Sequence, residues 1–267
     1  LGNYLWHHEV TGRAMAEVLE HELGPKGRFA GLAVTTGSAG TIAAGDFLKK
    51  QFSGSKIAAS EAAQCPTLLA IEGIGDKHVP WIHNVKNTDL VIAVDDEASV
   101  SAIRLFNEPA GKRHLAGRGL EPALIEKLSL LGISGAANLI SAIKMAKWYE
   151  LGRESVVMTV LTDSVEMYRS RLAELNAERG AFTEVDAAVA HERHILGAGT
   201  DLMEELSYPA RKRVHNLKYY TWVEQQGKTH AEIQEQWHDD EYWTGIPEVA
   251  PKLDELIVEF NARTGLG

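Results

Sequence analysis

The chain has 267 residues, enough to bury a substantial core as one large domain or two small ones. Its net charge of −10 opposes binding to nucleic acid and to anionic membranes, so we expect neither as a main partner. No stretch approaches the roughly 20 consecutive apolar residues that a membrane span needs. The single cysteine, Cys65, excludes an internal disulfide and suits a reducing compartment. We therefore expect a cytoplasmic protein in which Cys65 is a buried or half-buried thiol.

Helical and strand patterns alternate through the first part of the chain. The first helix is predicted over 13–23, with Thr11 as its cap and Gly24-Pro25 as its end. Strands are predicted over four runs: 29–35, 56–60, 90–94 and 155–161. Asp95-Asp96 can cap the helix after the third strand, and helical spacing marks residues 133–149. This alternation predicts an α/β fold with a mainly parallel sheet flanked by helices.

The strand signals stop after about residue 170. We therefore predict an α/β domain over residues 1–170 and a helical extension over residues 171–267. In the extension, a capping box begins at Thr229, and Pro247 suits the first position of a helix. Its large aromatic residues are expected to dock it on the same chain or on a second subunit. They are Trp222, Trp237, Tyr242 and Trp243.

A turn of small residues joins the first strand to the next helix. The turn consists of Gly37, Ser38, Ala39, Gly40 and Thr41. Small residues between a strand and a helix N-terminus leave backbone N–H groups available to an anion. We interpret the turn as a phosphate-binding loop; the alternative is an ordinary tight turn. No lysine follows its last glycine, and its spacing differs from Gly-x-Gly-x-x-Gly, so nucleotide P-loops and dinucleotide sites are disfavoured.

Segments of residues 1–170 resemble, in order, motifs of the cysteine synthase family. The turn at Gly37 resembles the family's Gly-Thr-Gly-Gly-Thr loop, with Ser38-Ala39 in place of the middle pair. Four more segments resemble family motifs. Residues 4–12 resemble His-x-x-Thr-Gly, and residues 71–75 resemble Gln-Gly-Ile-Gly. Residues 132–137 resemble Gly-Ile-Ser-Ser-Gly-Ala, and residues 162–170 resemble Pro-Ser-x-Gly-Glu-Arg-Tyr-x-Ser. Each motif is weak alone, but together they form an ordered set.

The resemblance implies a fold type II (tryptophan synthase β-like) enzyme that uses pyridoxal 5'-phosphate. Such enzymes hold the cofactor as a Schiff base on a lysine and use its ring as an electron sink. The family pattern implies that Gly37 to Thr41 bind the cofactor phosphate, and that the protein is a homodimer. It also implies β-elimination or β-replacement on a small amino-acid substrate. Threonine synthase, ammonia-lyase and amino-oxopentanoate thiolase reactions are alternatives within the class.

One departure from the family pattern concerns the Schiff-base lysine. In the family this lysine lies in a segment that would precede Leu1, so no catalytic residue is assigned in this sequence. We expect the chain to be the C-terminal part of a longer enzyme, with the lysine on a missing N-terminal segment or a partner chain. The alternative is a cofactor-binding or regulatory module that lacks catalysis. Lys49, Lys50 and Lys56 are predicted to be solvated.

A second departure is Asp163, which aligns with the family's serine opposite the pyridine nitrogen. A carboxylate there would favour the protonated ring. A shift of one residue would place Thr162 or Ser164 at this position instead. A helix N-cap is the further alternative for Asp163.

Clusters of histidine and basic residues are given structural interpretations. His7 and His8 are expected to pack and form hydrogen bonds near the start of the domain. His191 and His194 have helical spacing but no third ligand nearby, so a solvated helix face is predicted and no metal site. The basic and aromatic run 211–220 is interpreted as a charged helix face in an oligomer contact rather than an RNA surface.

Overall fold

The structure is a computed structural model that describes residues 1–69 and 78–265. Its centre is a five-stranded sheet of order β4-β1-β2-β3-β5. The strands are β1 (Arg28–Thr35), β2 (Lys56–Ala62), β3 (Leu90–Val94), β4 (Ser155–Met158) and β5 (Met203–Glu205). The first four pair in parallel, and β5 pairs antiparallel with β3. The predicted α/β fold with a mainly parallel sheet is confirmed.

Helices cover both faces of the sheet, joined by short 3₁₀ and π-helical turns. They are α1 (Gly2–Trp6), α2 (Gly12–Glu22), α3 (Gly40–Gln51), α4 (Asp96–Asn107), α5 (Pro109–Gly117), α6 (Pro122–Lys127), α7 (Ile133–Trp148), α8 (Arg169–Arg179), α9 (Glu184–Ala190), α10 (Tyr208–Asn216), α11 (His230–His238), α12 (Tyr242–Glu248) and α13 (Ala250–Thr264).

The strands alternate their side chains between two cores, as the pleat requires. In β1, Leu32 and Val34 pack with α2 and α3, whereas Ala33 faces α4, α7 and α9. Both faces of the sheet are apolar because helices cover both of them. This explains why the strands are continuous apolar runs in the sequence.

The largest differences between the predicted and the observed elements are at Thr11 and at the end of β4. Thr11 does not cap a helix, because the helical backbone is continuous from Gly2 through the π-helical segment His7–Thr11 into α2. The Thr11 hydroxyl instead hydrogen-bonds with His7 Nδ1 at 3.0 Å. β4 ends at Met158, three residues earlier than predicted. The predicted Asp95-Asp96 cap is confirmed at Asp95, since its carboxylate accepts from the backbone N–H of Glu97 at 2.8 Å.

The extension after residue 170 is not entirely helical, because it contributes β5 to the sheet. The capping box at Thr229 is confirmed, but Pro247 lies inside α12 rather than at the start of a helix. Trp237 and Trp243 are buried, and Trp222 and Tyr242 are half-buried, as predicted.

Two arginines of the basic run 211–220 make contacts within the chain. The Arg211 guanidinium donates to Thr88 O at 2.7 Å and to Asp89 at 2.9 Å. Arg213 pairs with Glu204 at 2.8 Å. These contacts fasten the extension to the sheet.

Three smaller predictions are wrong. Lys49 is not solvated, because its ammonium donates to the Asp89 carboxylate at 2.6 Å. His191 is buried, with its Nδ1 3.1 Å from His114 Nε2. Cys65 is exposed, because it lies in the loop that follows β2.

Within the described ranges, no single helix is long and apolar enough to cross a membrane. Residues Pro122–Leu130 and Ile133–Trp148 reach the required length and composition only as a pair bent by 116°.

Candidate functional site

The turn of small residues lies where the parallel strands end. β1 ends at Thr35, and α3 begins at Gly40. The backbone N–H of Thr36 donates to Ser60 O at 3.0 Å, which ties the start of the turn to the end of β2. In open α/β sheets, ligands bind in the crevice at the carboxyl ends of the strands. The turn therefore occupies the edge where a ligand site is expected.

The turn has backbone donors that the described part of the chain does not use. No acceptor in residues 1–69 or 78–265 takes a hydrogen bond from the N–H of Gly37, Ser38 or Ala39. Ala39 has a left-handed backbone with φ of 57°, a conformation found in backbone anion-binding nests. The donors stand at the N-terminus of α3, which is 12 residues long and whose dipole favours negative charge there. The arrangement can bind an anion.

The first residues of the chain support the turn from one side. A Cβ on Gly40 would lie 2.5 Å from His7 Cδ2 and 2.6 Å from Asn3 Nδ2, so glycine allows this close packing. The amide of Asn3 also donates to Ser38 Oγ at 3.4 Å. The expected packing and hydrogen bonding of His7 and His8 is confirmed: His8 stacks with Tyr4 and hydrogen-bonds with Glu9 at 2.8 Å. Burial lowers the pKa of His7.

Asn138 is a site-positioning residue that the sequence motifs do not identify. It lies on α7 and is 1% exposed. Its Oδ1 accepts from the Thr35 N–H at 2.8 Å, and its Nδ2 donates to Val160 O at 2.9 Å. It thereby joins the end of β1 to the segment after β4. The available signal was an amide among the apolar residues of the predicted helix.

A cavity of about 340 Å³ opens beside the turn, a size suited to a small ligand. Of the predicted site residues, Gly37 alone lines it. Within the turn, Ser38 is exposed, and Ala39 and Gly40 are buried. Thr41 is half-buried, and its hydroxyl donates to Thr35 O at 3.5 Å.

One wall of this cavity is fixed by Glu61, at the end of β2. The carboxylate accepts three backbone N–H bonds, from Thr67 at 2.7 Å, Leu68 at 2.8 Å and Leu69 at 2.9 Å. These bonds use the donors of the 67–69 loop and hold it against the strand. The loop predicted to correspond to Gln-Gly-Ile-Gly, 71–75, lies outside the described residues.

Asp163 lies against the start of α7. Its backbone carbonyl accepts from the Gly132 N–H at 3.0 Å, and its carboxylate accepts from the Tyr168 hydroxyl. A Cβ on Gly132 would lie 2.2 Å from Asp163 Oδ1, so only glycine permits this approach. The hydrogen bond to Asp163 raises the pKa of Tyr168 to about 12.

The helix-cap alternative for Asp163 is wrong, because Ser164 is the cap: its hydroxyl accepts from the Glu166 N–H at 3.3 Å. Asp163 does not line the 340 Å³ cavity. It is connected to the same edge of the sheet through Val160 and Asn138.

In the described part of the chain, no lysine lines the cavity beside the turn. The buried lysines lie elsewhere. Lys144 donates to Asp201 O at 2.7 Å. Lys218 donates to Trp81 O at 2.9 Å, His83 O at 2.8 Å and Gln236 Oε1 at 2.6 Å. Burial lowers the pKa of both ammonium groups.

No protein-family model matches the chain, and no curated protein matches it. Solved structures do match. Cysteine synthase from Entamoeba histolytica aligns with a TM-score of 0.50 at 18% identity, over 72% of this chain and 51% of its own. A hydrogen sulfide-producing enzyme from Fusobacterium nucleatum aligns with a TM-score of 0.47 at 24% identity, over 70% and 51%. An O-acetylserine dependent cystathionine β-synthase from Helicobacter pylori aligns with a TM-score of 0.43 at 20% identity, over 63% and 49%.

The chain spans about half the length of these solved structures. At 18% identity the likeness to cysteine synthase concerns the fold alone. The α/β fold of this chain is therefore of the cysteine synthase type.

Proposed function

We propose that this chain is the cofactor-binding part of a pyridoxal 5'-phosphate-dependent lyase or transferase. The reaction is β-elimination or β-replacement on a small amino acid. The observation that carries the proposal is the turn Gly37 to Thr41, with unused backbone donors at the start of α3 in a cysteine synthase-like fold. A phosphate dianion gains there from several N–H donors and from the helix dipole together.

The residues of the turn fit a phosphate group. Gly37 is exposed, and a Cβ on it would meet no atom of residues 1–69 or 78–265 within 4 Å, so the described part of the chain leaves room above it. Bound pyridoxal phosphate supplies the electron-withdrawing ring that stabilises negative charge at the α-carbon of an amino acid. The chain's own contribution is to hold the phosphate and to orient the ring against the edge of the sheet.

In this proposal Asp163 faces the pyridine nitrogen. Of the three residues considered for this position, Ser164 is engaged as a helix cap, and Thr162 is exposed. The Asp163 carboxylate is oriented by the Tyr168 hydroxyl and by its close packing on Gly132. A carboxylate at that place would hold a proton on the nitrogen and so strengthen the ring as an electron sink.

The Schiff-base lysine is proposed to come from a preceding segment or a partner chain. The support is that no lysine of the described residues lines the cavity. The same observation favours a second candidate, a cofactor-binding or regulatory module without catalysis. An activity assay separates the two candidates. If this chain is part of an enzyme, the longer protein, or the complex with the partner chain, consumes an O-substituted serine; a module without catalysis does not.

Phosphate recognition by the turn can be tested with one charge substitution and a matched control. Gly37→Asp places a carboxylate at the phosphate site, and we expect at least tenfold weaker binding of pyridoxal phosphate by calorimetry. Gly152→Asp is the control, because Gly152 is also exposed and a Cβ on it would also meet no described atom within 4 Å. It precedes β4 and so lies at the amino ends of the strands, away from the turn. Pyridoxal, which lacks the phosphate, should bind as weakly to the parent as the phosphate form binds to Gly37→Asp. Equal affinities of the two glycine variants for pyridoxal phosphate would show that the turn does not bind the phosphate group.

The origin of the lysine needs a separate measurement. The chain is loaded with pyridoxal phosphate, reduced with borohydride and digested for mass spectrometry. We expect no lysine to be labelled stoichiometrically. Stoichiometric labelling of one lysine, including Lys77 outside the described residues, would place the Schiff base within this chain and overturn this part of the proposal.

A further inference from the structure

A second cavity, of about 490 Å³, lies beside α1, α3 and α12. None of its described lining residues also lines the cavity beside the turn. Lys49 in its wall donates to Asn87 O at 3.0 Å and to Asp89 at 2.6 Å, directly before β3. This cavity therefore lies towards the amino ends of the strands, whereas the turn lies at their carboxyl ends. Its volume suits a small organic molecule.

Asp46, on α3, presents a carboxylate in the wall of this cavity. The carboxylate accepts from the Tyr4 hydroxyl at 2.8 Å, Asn84 Nδ2 at 3.2 Å and Asn87 Nδ2 at 2.6 Å. These donors are neutral, and Asp46 forms no ion pair within residues 1–69 and 78–265. Burial raises the pKa of the Asp46 carboxyl, and the hydrogen bonds and the charge of His8 offset this only in part. A cation that reached this carboxylate would stabilise its charged form.

An acceptor without a donor lies in the same wall. Asn84 is 7% exposed, and its Oδ1 receives no hydrogen bond from the described part of the chain. Its Nδ2 donates to Asp46, so the oxygen lies close to that carboxylate. An ammonium group has three N–H donors and can serve both acceptors. No group of three metal-ligating side chains occurs in the described ranges, so an organic ammonium group is the cation that fits.

The cavity also has positive charge available to an anion. Lys50 is exposed and makes no hydrogen bond or ion pair with a described residue. Lys86 pairs with Asp240 at 3.1 Å, but that aspartate side chain is 96% exposed, and such surface pairs are weak. Asp46 and Lys50 are four residues apart on α3, so they lie on one face about one helical turn apart. The ammonium and carboxylate of one amino acid can span this separation.

We propose that this cavity binds an α-amino acid with an apolar side chain as its zwitterion. The ligand's amino group donates to Asp46 and to Asn84 Oδ1, and its carboxylate pairs with Lys50 and Lys86. Its side chain packs on the Trp243 ring of α12, which also lines the cavity. This site is separate from the proposed cofactor site and does not depend on its chemistry.

Calorimetry with L-leucine and two analogues that each lack one charge tests the ligand class. 3-Methylbutylamine keeps the amino group, and 4-methylpentanoate keeps the carboxylate. L-Leucine should bind the parent at least tenfold more tightly than either analogue. The absence of L-leucine binding at millimolar concentration would overturn the proposal. An analogue that binds as tightly as L-leucine would also overturn it, because one end of the zwitterion would then not be recognised.

The carboxylate end is tested by Lys50→Ala, with Lys127→Ala as the matched control. Lys127 is also an exposed helical lysine, on α6, and does not line this cavity. Lys50→Ala should weaken L-leucine binding about tenfold, since a charge-assisted hydrogen bond is lost, and Lys127→Ala should leave it unchanged. Both variants should keep the parental circular dichroism because both side chains are exposed. Parental affinity in Lys50→Ala would contradict the site.

The amino end is tested by Asp46→Asn, which removes the negative charge at nearly constant shape. L-Leucine should bind at least tenfold more weakly to this variant, whereas 4-methylpentanoate should bind as it does to the parent. Gly37→Asp, which alters only the turn, should bind L-leucine with parental affinity. Loss of L-leucine binding in Gly37→Asp would place the amino acid at the turn and overturn the assignment to this cavity.

Discussion

At the scale of single residues, the carboxyl edge depends on one buried amide. Asn138 satisfies the Thr35 N–H and the Val160 carbonyl at once. Asn138→Leu would leave both half-buried backbone groups without these partners, at a cost of about 1–3 kcal/mol for each. We expect urea unfolding to show a loss of about 3 kcal/mol in the free energy of unfolding. Asn216→Leu, at an exposed asparagine of α10, is the control and should change it by less than about 0.5 kcal/mol.

The pair of Asp163 and Tyr168 makes a prediction for pH. The hydrogen bond to the carboxylate raises the pKa of Tyr168 to about 12, so the folded protein favours the neutral phenol. The stabilisation is complete below pH 10 and is lost as the pH rises towards 12. Asp163→Asn removes the negative charge and should bring the pKa of Tyr168 back towards 10. Absorbance titration at 295 nm, taken as a difference from Tyr168→Phe, measures this; an unchanged titration would show that the pairing does not exist in solution.

The sequence identifies some of these residues and misses others for a physical reason. The turn at Gly37 is visible because small residues between a strand and a helix form a local pattern. The contacts of Asn138 join groups that lie far apart along the chain, the Thr35 N–H and the Val160 carbonyl. No local spacing encodes such contacts, so sequence patterns alone could not assign them.

At the scale of elements, the extension is held by a buried polar cluster. Lys218, fully buried, donates to carbonyl groups of the 81–83 segment and to Gln236. His83 and His215 lie nearby. Burial is the main cause that lowers the pKa of each to about 3, and the positive charge of Lys218 adds to it. Both histidines are therefore neutral in the folded protein at neutral pH.

This cluster predicts that acid weakens the fold before the carboxylates titrate. Between pH 6.5 and pH 3 the unfolded chain binds protons at both histidines and the folded chain does not. The free energy of unfolding should therefore fall with pH, by up to about 1.4 kcal/mol per histidine for each unit. His215→Gln should reduce this slope in urea titrations at several pH values, whereas His238→Gln, at an exposed position of α11, should leave it unchanged. Equal slopes in parent and His215→Gln would contradict the buried, neutral assignment.

Element prediction from sequence succeeds where a run is long and apolar. β3 lies at the predicted residues because all five of its side chains are buried. β5 was missed because Met203–Glu205 is short, edge-located and largely charged, so no alternation marks it. β5 forms because it pairs with β3, which lies more than 100 residues earlier in the chain.

At the scale of the whole molecule, Asp89 joins the sheet to the extension. Its carboxylate accepts from the Ile57 N–H at 2.9 Å and pairs with Lys49 at 2.6 Å and Arg211 at 2.9 Å. The backbone of the same residue accepts from the Leu206 N–H at 2.8 Å. Removing the extension would leave the Asp89 carboxylate without one of its two cations and would expose the edge of β3.

Two truncations separate the part of the extension that the fold needs from the part that it does not. A chain of residues 1–170 loses β5, the Arg211 pairing and the buried Ala187 and Ala190 of α9, so it should aggregate or unfold without a cooperative transition. A chain of residues 1–248 loses only the segment after α12, and α13 has no buried residue. It should keep the melting temperature of the parent within a few degrees by circular dichroism. A soluble 1–170 chain that melts cooperatively would contradict this expectation. It would show that the α/β domain folds without the pairing of β5 with β3.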